Sequence, residues 1–284
     1  MHSELARQGE ITPYESLDKA LRMHADGTRA CLGKNSVGLY TLGSLAIGDV
    51  DLTSDVDFVI VTADELQGEA VHRVQAWHTE LMSRDAAWFR RLEYSYFPKP
   101  RLRELSPPYD AAGLDDRSEG RLLWYFCNGH SEIERSGHDN TLVTRWTLRN
   151  RSRTVAGPEP ASFAPVITPH ALRGEIKNSL IGWSRLMTEH PARLDDRFHQ
   201  VFMVLNACRA LQELHEGRVT SKRQGMQWAK RHLEPEWRSL IDFCWHERQD
   251  TGIHVSQPAD RQAWHRTVAF VAHAATLAQQ YQLR

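Results

Sequence analysis

Several features are scarce or missing in this sequence, and each absence argues against a class of protein. The 284 residues include four scattered cysteines without a C-x-x-C pair, which argues against a disulfide framework or a structural zinc site. No apolar run reaches the roughly eighteen residues of a membrane span, and the first residues lack the apolar core of a signal peptide. We therefore expect a cytoplasmic protein without a membrane partner.

An excess of positive charge is also missing. Lys and Arg number 35 and Asp and Glu number 36, which gives a formal charge of −1. Proteins that follow the phosphates of a nucleic acid usually carry a basic surplus, so we expect no nucleic-acid partner. The sequence has no G-x-x-x-x-G-K loop either. Hydrophobic residues make up 41% of the sequence, enough to fill a substantial core, so we expect a globular protein. We also expect it to be a monomer.

The N-terminal part alternates between strand-like and helix-like patterns. Apolar periodicity predicts helices over 14–31 and 64–90 and strands over 37–44, 55–61 and 91–97. The strand at 55–61 is apolar almost throughout, as expected for a strand covered on both faces. These elements predict a mixed sheet flanked by helices.

A proline-rich stretch separates this part from a helical one. Residues 157–169 contain four prolines, which is typical of a domain boundary. Five segments with a period of 3.6 follow, enough for a helical bundle. The sequence thus predicts an α+β protein with one domain over residues 1–157 and an α-helical domain over residues 158–284.

The tripeptide Asp-Val-Asp occurs twice, at 49–51 and at 55–57. Side chains alternate along a strand, so Asp55 and Asp57 point to one side and suit a hard divalent cation. Asp49 and Asp51 lie in a polar turn that does not enforce alternation. We assign the metal to Asp55 and Asp57, and we interpret Asp49 and Asp51 as residues of a solvated turn whose carboxylates cap backbone amides.

A Gly-Ser pair accompanies the carboxylates. Gly43 and Ser44 end the strand over 37–44, where backbone amides and a hydroxyl are able to approach phosphate oxygens closely. Ser54 adds a donor beside the metal pair. The segment therefore combines a phosphate-binding turn with a metal site.

The stretch LGSLAIGDVDLTSDVDFVIV resembles the signature of the DNA polymerase β-type nucleotidyltransferases, in which Gly-Ser ends one strand and Asp-x-Asp opens a later one. The spacing from Ser44 to Asp55 fits this pattern, whereas Asp49 comes too early. Ser54 and Gly48 match the form common in bacterial enzymes that modify antibiotics.

The family usually adds a third acid from a neighbouring strand, and Glu93 in RLEYSYF fits that place. Its neighbours Leu92 and Tyr94 are expected on the other face of the strand. In aminoglycoside adenylyltransferases of the streptomycin and spectinomycin class, the matching glutamate is proposed as metal ligand and general base. The resemblance implies both roles for Glu93, although an exposed strand glutamate is the simpler interpretation.

The resemblance continues loosely into the second domain. The stretch LNACRALQELHEGRVTSKRQGMQWA is similar to the helical domain of that class, with Gly225 in place of an alanine. It implies that Lys222, at a helix start, contacts the phosphates of the nucleotide. The implied reaction transfers AMP from ATP to a small-molecule hydroxyl, with two Mg²⁺ ions bound by Asp55, Asp57 and Glu93.

A cationic acceptor needs acids and aromatic faces. The candidates that the sequence offers are Asp195, Asp196, Glu175 and Trp124. His199 and Gln200 stand where the antibiotic-modifying enzymes place acids, so an aminoglycoside or aminocyclitol is the leading acceptor class without being the only one. The alternatives are a protein-modifying (AMPylating, antitoxin-type) nucleotidyltransferase and a catalytically idle binding module of the same fold.

Overall fold

The computed structural model describes residues 10–51, 54–84, 88–105, 122–127, 130–249 and 257–283. They form two compact units. The N-terminal unit contains the described residues up to 50, 54–105 and 122–166, and the C-terminal unit contains residue 51 and the described residues from 167 onward. Within these ranges, none of the helices combines the length and the hydrophobicity that a membrane crossing needs.

A six-stranded mixed sheet forms the centre of the N-terminal unit. Its strands are β1 (Ser36–Thr41), β2 (Val56–Thr62), β3 (Leu92–Pro98), β4 (Leu123–Phe126), β5 (Glu134–Ser136) and β6 (Thr154–Ala156). Their order across the sheet is β5-β4-β3-β2-β1-β6. The β2 and β3 strands pair in parallel and the remaining neighbours are antiparallel.

Five helices accompany this sheet within the described residues. They are α1 (Glu15–Leu32), α2 (Gly43–Ile47), α3 (Glu69–Ser83), α4 (Lys99–Arg103) and α5 (Leu142–Asn150). The α3 helix lies in the connection between β2 and β3, as parallel neighbours require. It packs against α1.

Each face of the sheet has its own hydrophobic core. Phe58 and Tyr94 belong to the core on the face that α1 and α3 cover. Val59 and Phe97 belong to the core on the opposite face, with Leu148 of α5. Because side chains alternate, the odd-numbered residues of β2 and β3 share this second face.

The C-terminal unit is built from helices. They are α6 (Pro169–Glu189), α7 (Arg197–Glu216), α8 (Lys222–His232), α9 (Arg238–Glu247) and α10 (Arg261–Gln280). Four of them have an N-cap residue whose side chain accepts a hydrogen bond from a backbone amide of the first turn. This hydrogen bond stabilises the start of the helix. These caps are Thr168, Asp196, Ser221 and Asp260.

Gly225 sets the distance between α7 and α8. A Cβ at this position would lie 2.5 Å from the Cα of Arg209, so the two backbones approach too closely for any side chain. The departure from alanine noted in the sequence therefore corresponds to a close packing of these helices.

The α+β fold, the mixed sheet and the helical C-terminal unit are confirmed, and the strands over 55–61 and 91–97 lie within one residue of β2 and β3. One local expectation is wrong. The first predicted strand ends at Thr41, and Gly43 and Ser44 open the short helix α2 instead of ending that strand. Five residues are too few to show a helical period in the sequence.

Candidate functional site

Two of the predicted carboxylates lie side by side in the sheet. The register of the parallel strands β2 and β3 pairs Asp57 with Glu93. Neighbouring strands are about 4.8 Å apart, and paired residues point to the same face. Leu92 and Tyr94 are buried on the other face, as the sequence predicted. Asp57 and Glu93, separated by 36 positions in the sequence, are thus brought to one place by the fold.

Asp55 and Ser54 precede β2 directly. The side chain of Asp55 is exposed, whereas Ser54 is buried. The pairing of β2 with β3 begins at Val56, so Asp55 lies one residue outside the paired strand. Asp55 is therefore two residues from Asp57 in the sequence, but its side chain is more exposed to solvent than that of Asp57.

Gly43 is fitted against the carboxylate of Asp57. A Cβ at residue 43 would lie 1.9 Å from Oδ2 of Asp57, and the φ angle of Gly43 is +49°, which disfavours other residues. The amide of Leu42 donates to the carbonyl of Asp57 at 2.8 Å and holds the two segments together. This position requires glycine for both space and backbone conformation.

Ser44 follows in the first turn of α2. Its Oγ is buried and has no hydrogen-bond partner among the residues that the structure describes. A buried hydroxyl usually has a partner, so this atom is suited to a ligand. Gly43 thus lies against the Asp57 carboxylate and Ser44 follows it in the chain, while their role in phosphate binding stays a prediction.

Glu93 lies in a hydrogen-bonded network. Its Oε1 accepts a hydrogen bond from the Tyr125 hydroxyl at 2.5 Å and lies 3.1 Å from Nε2 of His138. On the same face, Ser95 donates to Oδ2 of Asp139 at 2.6 Å. The glutamate is only 17% exposed. An exposed strand glutamate, the simpler interpretation of the sequence, does not describe this environment.

The charges of this network change two pKa values. Desolvation opposes charging of His138, but its hydrogen bond to Glu93 and the nearby charges of Asp139, Glu93 and Asp57 together outweigh it and raise its pKa to about 9. Burial raises the pKa of Asp139, which the charge of His138 and the Ser95 hydrogen bond partly offset. Near neutral pH the site therefore holds a charged imidazole among several carboxyl groups.

The carboxylates have the chemistry of a site for a hard cation. Asp57 and Glu93 are adjacent acids, whose mutual repulsion a divalent ion would relieve, and carboxylate oxygens are its preferred ligands. Within the described ranges, however, no three His, Cys, Asp or Glu side chains are arranged closely enough to hold a metal ion. The donor types fit Mg²⁺, while the ligand set of Asp55, Asp57 and Glu93 stays a prediction.

Lys222 is the first residue of α8, as predicted. Ser221 and Gln224 form a reciprocal capping box at this helix start. The Nζ of Lys222 lies 5.3 Å from the ring centre of Phe202, a cation–π distance. The lysine is half-buried and held against α7.

The four acceptor candidates lie in different surroundings. Trp124 is on the sheet face opposite Glu93, where its indole donates to the carbonyl of Leu66 at 3.2 Å. Glu175 is buried in α6. Asp196 caps α7, as its place at a helix start predicted, and Asp195 is exposed. Of the four, only Asp195 is exposed, and Trp124 is half-buried.

Asp51, the second of the two earlier aspartates, has a charged partner. Asp51 forms an ion pair with Arg248 at 2.8 Å, and both residues belong to the C-terminal unit. The interpretation of Asp51 as part of a solvated turn did not anticipate this ion pair. The pairing joins residues that are 197 positions apart, which no local pattern indicates.

Sequence reasoning missed Tyr125, His138 and Asp139. The run Trp124 to Phe126 looks like core, and the histidines show no ligand spacing. Only the antiparallel pairing of β3 with β4 brings Tyr125 to the face of Glu93.

Comparison with known proteins finds a family model that matches the helical C-terminal part of the chain. Residues 167–275 match the family model of the aminoglycoside adenylyltransferase C-terminal domain. The resemblance to the aminoglycoside adenylyltransferases is confirmed. No curated protein sequence matches the chain.

A solved structure has a similar fold over most of the chain. It is the crystal structure of spectinomycin adenyltransferase AAD(9) from Enterococcus faecialis with ATP and spectinomycin. The match has a TM-score of 0.62 at 12% identity and covers 92% of this chain and 97% of that one. At this identity the likeness concerns the fold. Together with the family model it indicates a nucleotidyltransferase.

Proposed function

We propose that the protein transfers AMP from ATP to a hydroxyl group of a small molecule and releases pyrophosphate. The reaction is placed at the Asp57 and Glu93 pair in the N-terminal domain, residues 1–157. For Lys222 of the helical domain, residues 158–284, we propose contact with the nucleotide phosphates on the family resemblance alone.

The contact of Gly43 with Asp57 carries this proposal. Glycine at this position lets the Asp57 carboxylate lie directly against the start of α2, where a Cβ would meet its oxygen at 1.9 Å. The adjacent Ser44 hydroxyl is buried and lacks a partner within the described part of the chain. A phosphate group would supply the acceptor that this hydroxyl needs, next to the acids that would hold its counter-ion.

Asp55, Asp57 and Glu93 are the residues that would hold Mg²⁺. When bound, two such ions would neutralise the triphosphate and lower the pKa of the attacking hydroxyl. Gly43, Ser44 and Ser54 would orient the phosphate oxygens with their amides and hydroxyls. These residues fix the position of the α-phosphate relative to the acceptor.

Glu93 would accept the proton of the attacking hydroxyl. It is held close to Asp57, is largely buried, and is oriented by neighbouring donors. A general base must lie within hydrogen-bonding reach of the proton it removes. The acceptor hydroxyl is therefore expected at the face of the sheet where Asp57 and Glu93 lie.

An aminoglycoside or aminocyclitol is the proposed acceptor class. The family model supports it, and so does the presence of spectinomycin in the structure of similar fold. His199 and Gln200 provide no acid on α7, and the ring of His199 is engaged with Asp196 at 2.6 Å. Other polyhydroxylated amines therefore belong in the test.

The test incubates the protein with Mg²⁺, each of ATP, GTP, CTP and UTP, and a panel of aminoglycosides and aminocyclitols. Pyrophosphate release and the mass of the acceptor are measured. A gain of one AMP on an acceptor supports the proposal, and Asp57→Asn should abolish that gain. The matched control is Glu80→Gln, an exposed acid on α3. Loss of activity in the control, or full activity in Asp57→Asn, would contradict the assignment.

The two alternatives give different outcomes in the same assay. A protein-modifying enzyme would attach labelled AMP to a protein added to the reaction and leave every antibiotic unchanged. An idle binding module would bind ATP without releasing pyrophosphate under any condition.

A further inference from the structure

We propose that Tyr125 is a positioning residue that holds the Glu93 carboxylate in its reactive orientation. The catalytic consequence rests on the proposed function, in which Glu93 takes the proton of the acceptor. The structural part of the proposal, that the phenol sets the orientation of the carboxylate, does not depend on it.

The contact between the two side chains is short and protected. The Tyr125 hydroxyl donates to Oε1 of Glu93 at 2.5 Å, in the range of about 2.5–2.7 Å that hydroxyl-to-carboxylate hydrogen bonds occupy. Tyr125 is 5% exposed, so water competes little for this hydrogen bond. Such a bond between a buried phenol and a carboxylate is among the stronger ones that neutral donors make.

The sheet register explains why this tyrosine reaches Glu93. Tyr125 of β4 is paired with Ser95 of β3, and Glu93 lies two residues earlier on the same face. Long side chains reach such diagonal neighbours across a strand pair. Trp124 and Phe126 point to the other face, so within this strand only Tyr125 is placed for the contact.

A second group supports the same arrangement. The ring of His138 lies against the ring of Tyr125, with centroids 5.2 Å apart. Its Nε2 contacts the same Oε1 atom of Glu93 at 3.1 Å. Two contacts on one oxygen restrict rotation of the carboxylate about its terminal bond, and this fixes the plane of the group as well as its position.

Catalysis depends on such precision. A catalytic group misplaced by about 1 Å loses on the order of a hundredfold in rate. We expect Tyr125→Phe to lower kcat about 10- to 100-fold, while KM for ATP changes less than about threefold, because the variant keeps Glu93 itself, Asp55, Asp57 and the phosphate-binding Gly43 and Ser44.

The matched control is Tyr40→Phe. Tyr40 is fully buried on the same face of the sheet and donates to the carbonyl of Pro158 at 2.9 Å. Like Tyr125→Phe, this variant loses one hydroxyl and one partly buried hydrogen bond, so it reports the cost to stability alone. If both variants lose kcat to the same extent, or if Tyr125→Phe keeps the wild-type kcat, the proposal is overturned.

A crystallographic comparison separates this proposal from the proposed function. Wild type and Tyr125→Phe are crystallised in the same form, and the Glu93 carboxylate is compared. We expect one Glu93 orientation in the wild type and a displaced or multiple orientation in the variant. An unchanged Glu93 overturns the proposal even if AMP transfer is confirmed. A displaced Glu93 supports it even if the wild type transfers AMP to no acceptor, the result that refutes only the proposed function.

Discussion

Substitution of Gly43 by alanine tests the geometry of the site most specifically. The new Cβ would lie 1.9 Å from Oδ2 of Asp57, and the residue would have to adopt a φ of +49°. A left-handed conformation costs a residue with a side chain about 1–2 kcal/mol. The clash with Asp57 costs less than the left-handed conformation, because the carboxylate is the end of its side chain and is able to rotate away.

The effect on activity should be larger than the effect on stability. To admit the methyl group, Asp57 must rotate away from the position that faces Glu93. We expect a loss of about 1–2 kcal/mol in the free energy of unfolding, roughly 2–8 °C in the melting temperature of a domain of this size. AMP transfer should fall by at least about a hundredfold.

Gly48→Ala is the matched control. Gly48 also has a positive φ, +79°, but a Cβ there would meet no atom within 4 Å. Both variants are purified and compared by thermal unfolding and by pyrophosphate release. The control should lose similar stability and keep most activity. If the two variants have the same activity, Gly43 does not act through Asp57 and the reasoning is refuted.

Three further predictions concern stability. Burial lowers the pKa of His24 to about 3 and of His78 to about 4, from 6.5, so stability present above pH 6.5 should be lost as the pH falls toward these values. The two histidines together should lower the free energy of unfolding by about 3–4 kcal/mol at pH 5. A urea midpoint that stays constant between pH 7.5 and pH 5 would contradict this prediction. Arg145→Leu should lower the free energy of unfolding by at least about 3 kcal/mol, measured by urea unfolding, because one buried carbonyl and four partly buried acceptors lose their donor; a loss below about 1 kcal/mol would count against this. Those acceptors are the carbonyls of Arg101, Leu102, Glu104 and Thr141 and the side chain of Asn140. Gly225→Ala should lower the melting temperature through a loss of about 1–3 kcal/mol, since α8 must move away from the Arg209 backbone, and an unchanged melting temperature would show that the helices adapt freely.

Local patterns were sufficient to predict the strands that carry Asp57 and Glu93. Alternation along β2 and β3 decides which residues share a face, and a crossover helix makes the two strands parallel neighbours. The helix starts at Asp196 and Lys222 also follow from neighbouring residues alone. These features depend on short-range physical rules.

The rest of the site depends on contacts that a sequence does not display. Tyr125 and Trp124 are adjacent, and only the register of β4 against β3 decides which of them faces Glu93. A shift of one residue would exchange them. The pairing of Asp51 with Arg248 is likewise a tertiary contact. Periodicity carries no information about either arrangement.

The proposed metal and nucleotide site at Asp57 is tested most directly by a crystal structure with Mn²⁺ in place of Mg²⁺ and a non-hydrolysable ATP analogue. Anomalous scattering locates the metal, and its ligands are read from the map. We expect a metal within about 2.2 Å of carboxylate oxygens of Asp57 and of either Asp55 or Glu93, with the phosphates beside Gly43 and Ser44. A nucleotide bound elsewhere, or a metal that does not contact Asp57, would contradict it.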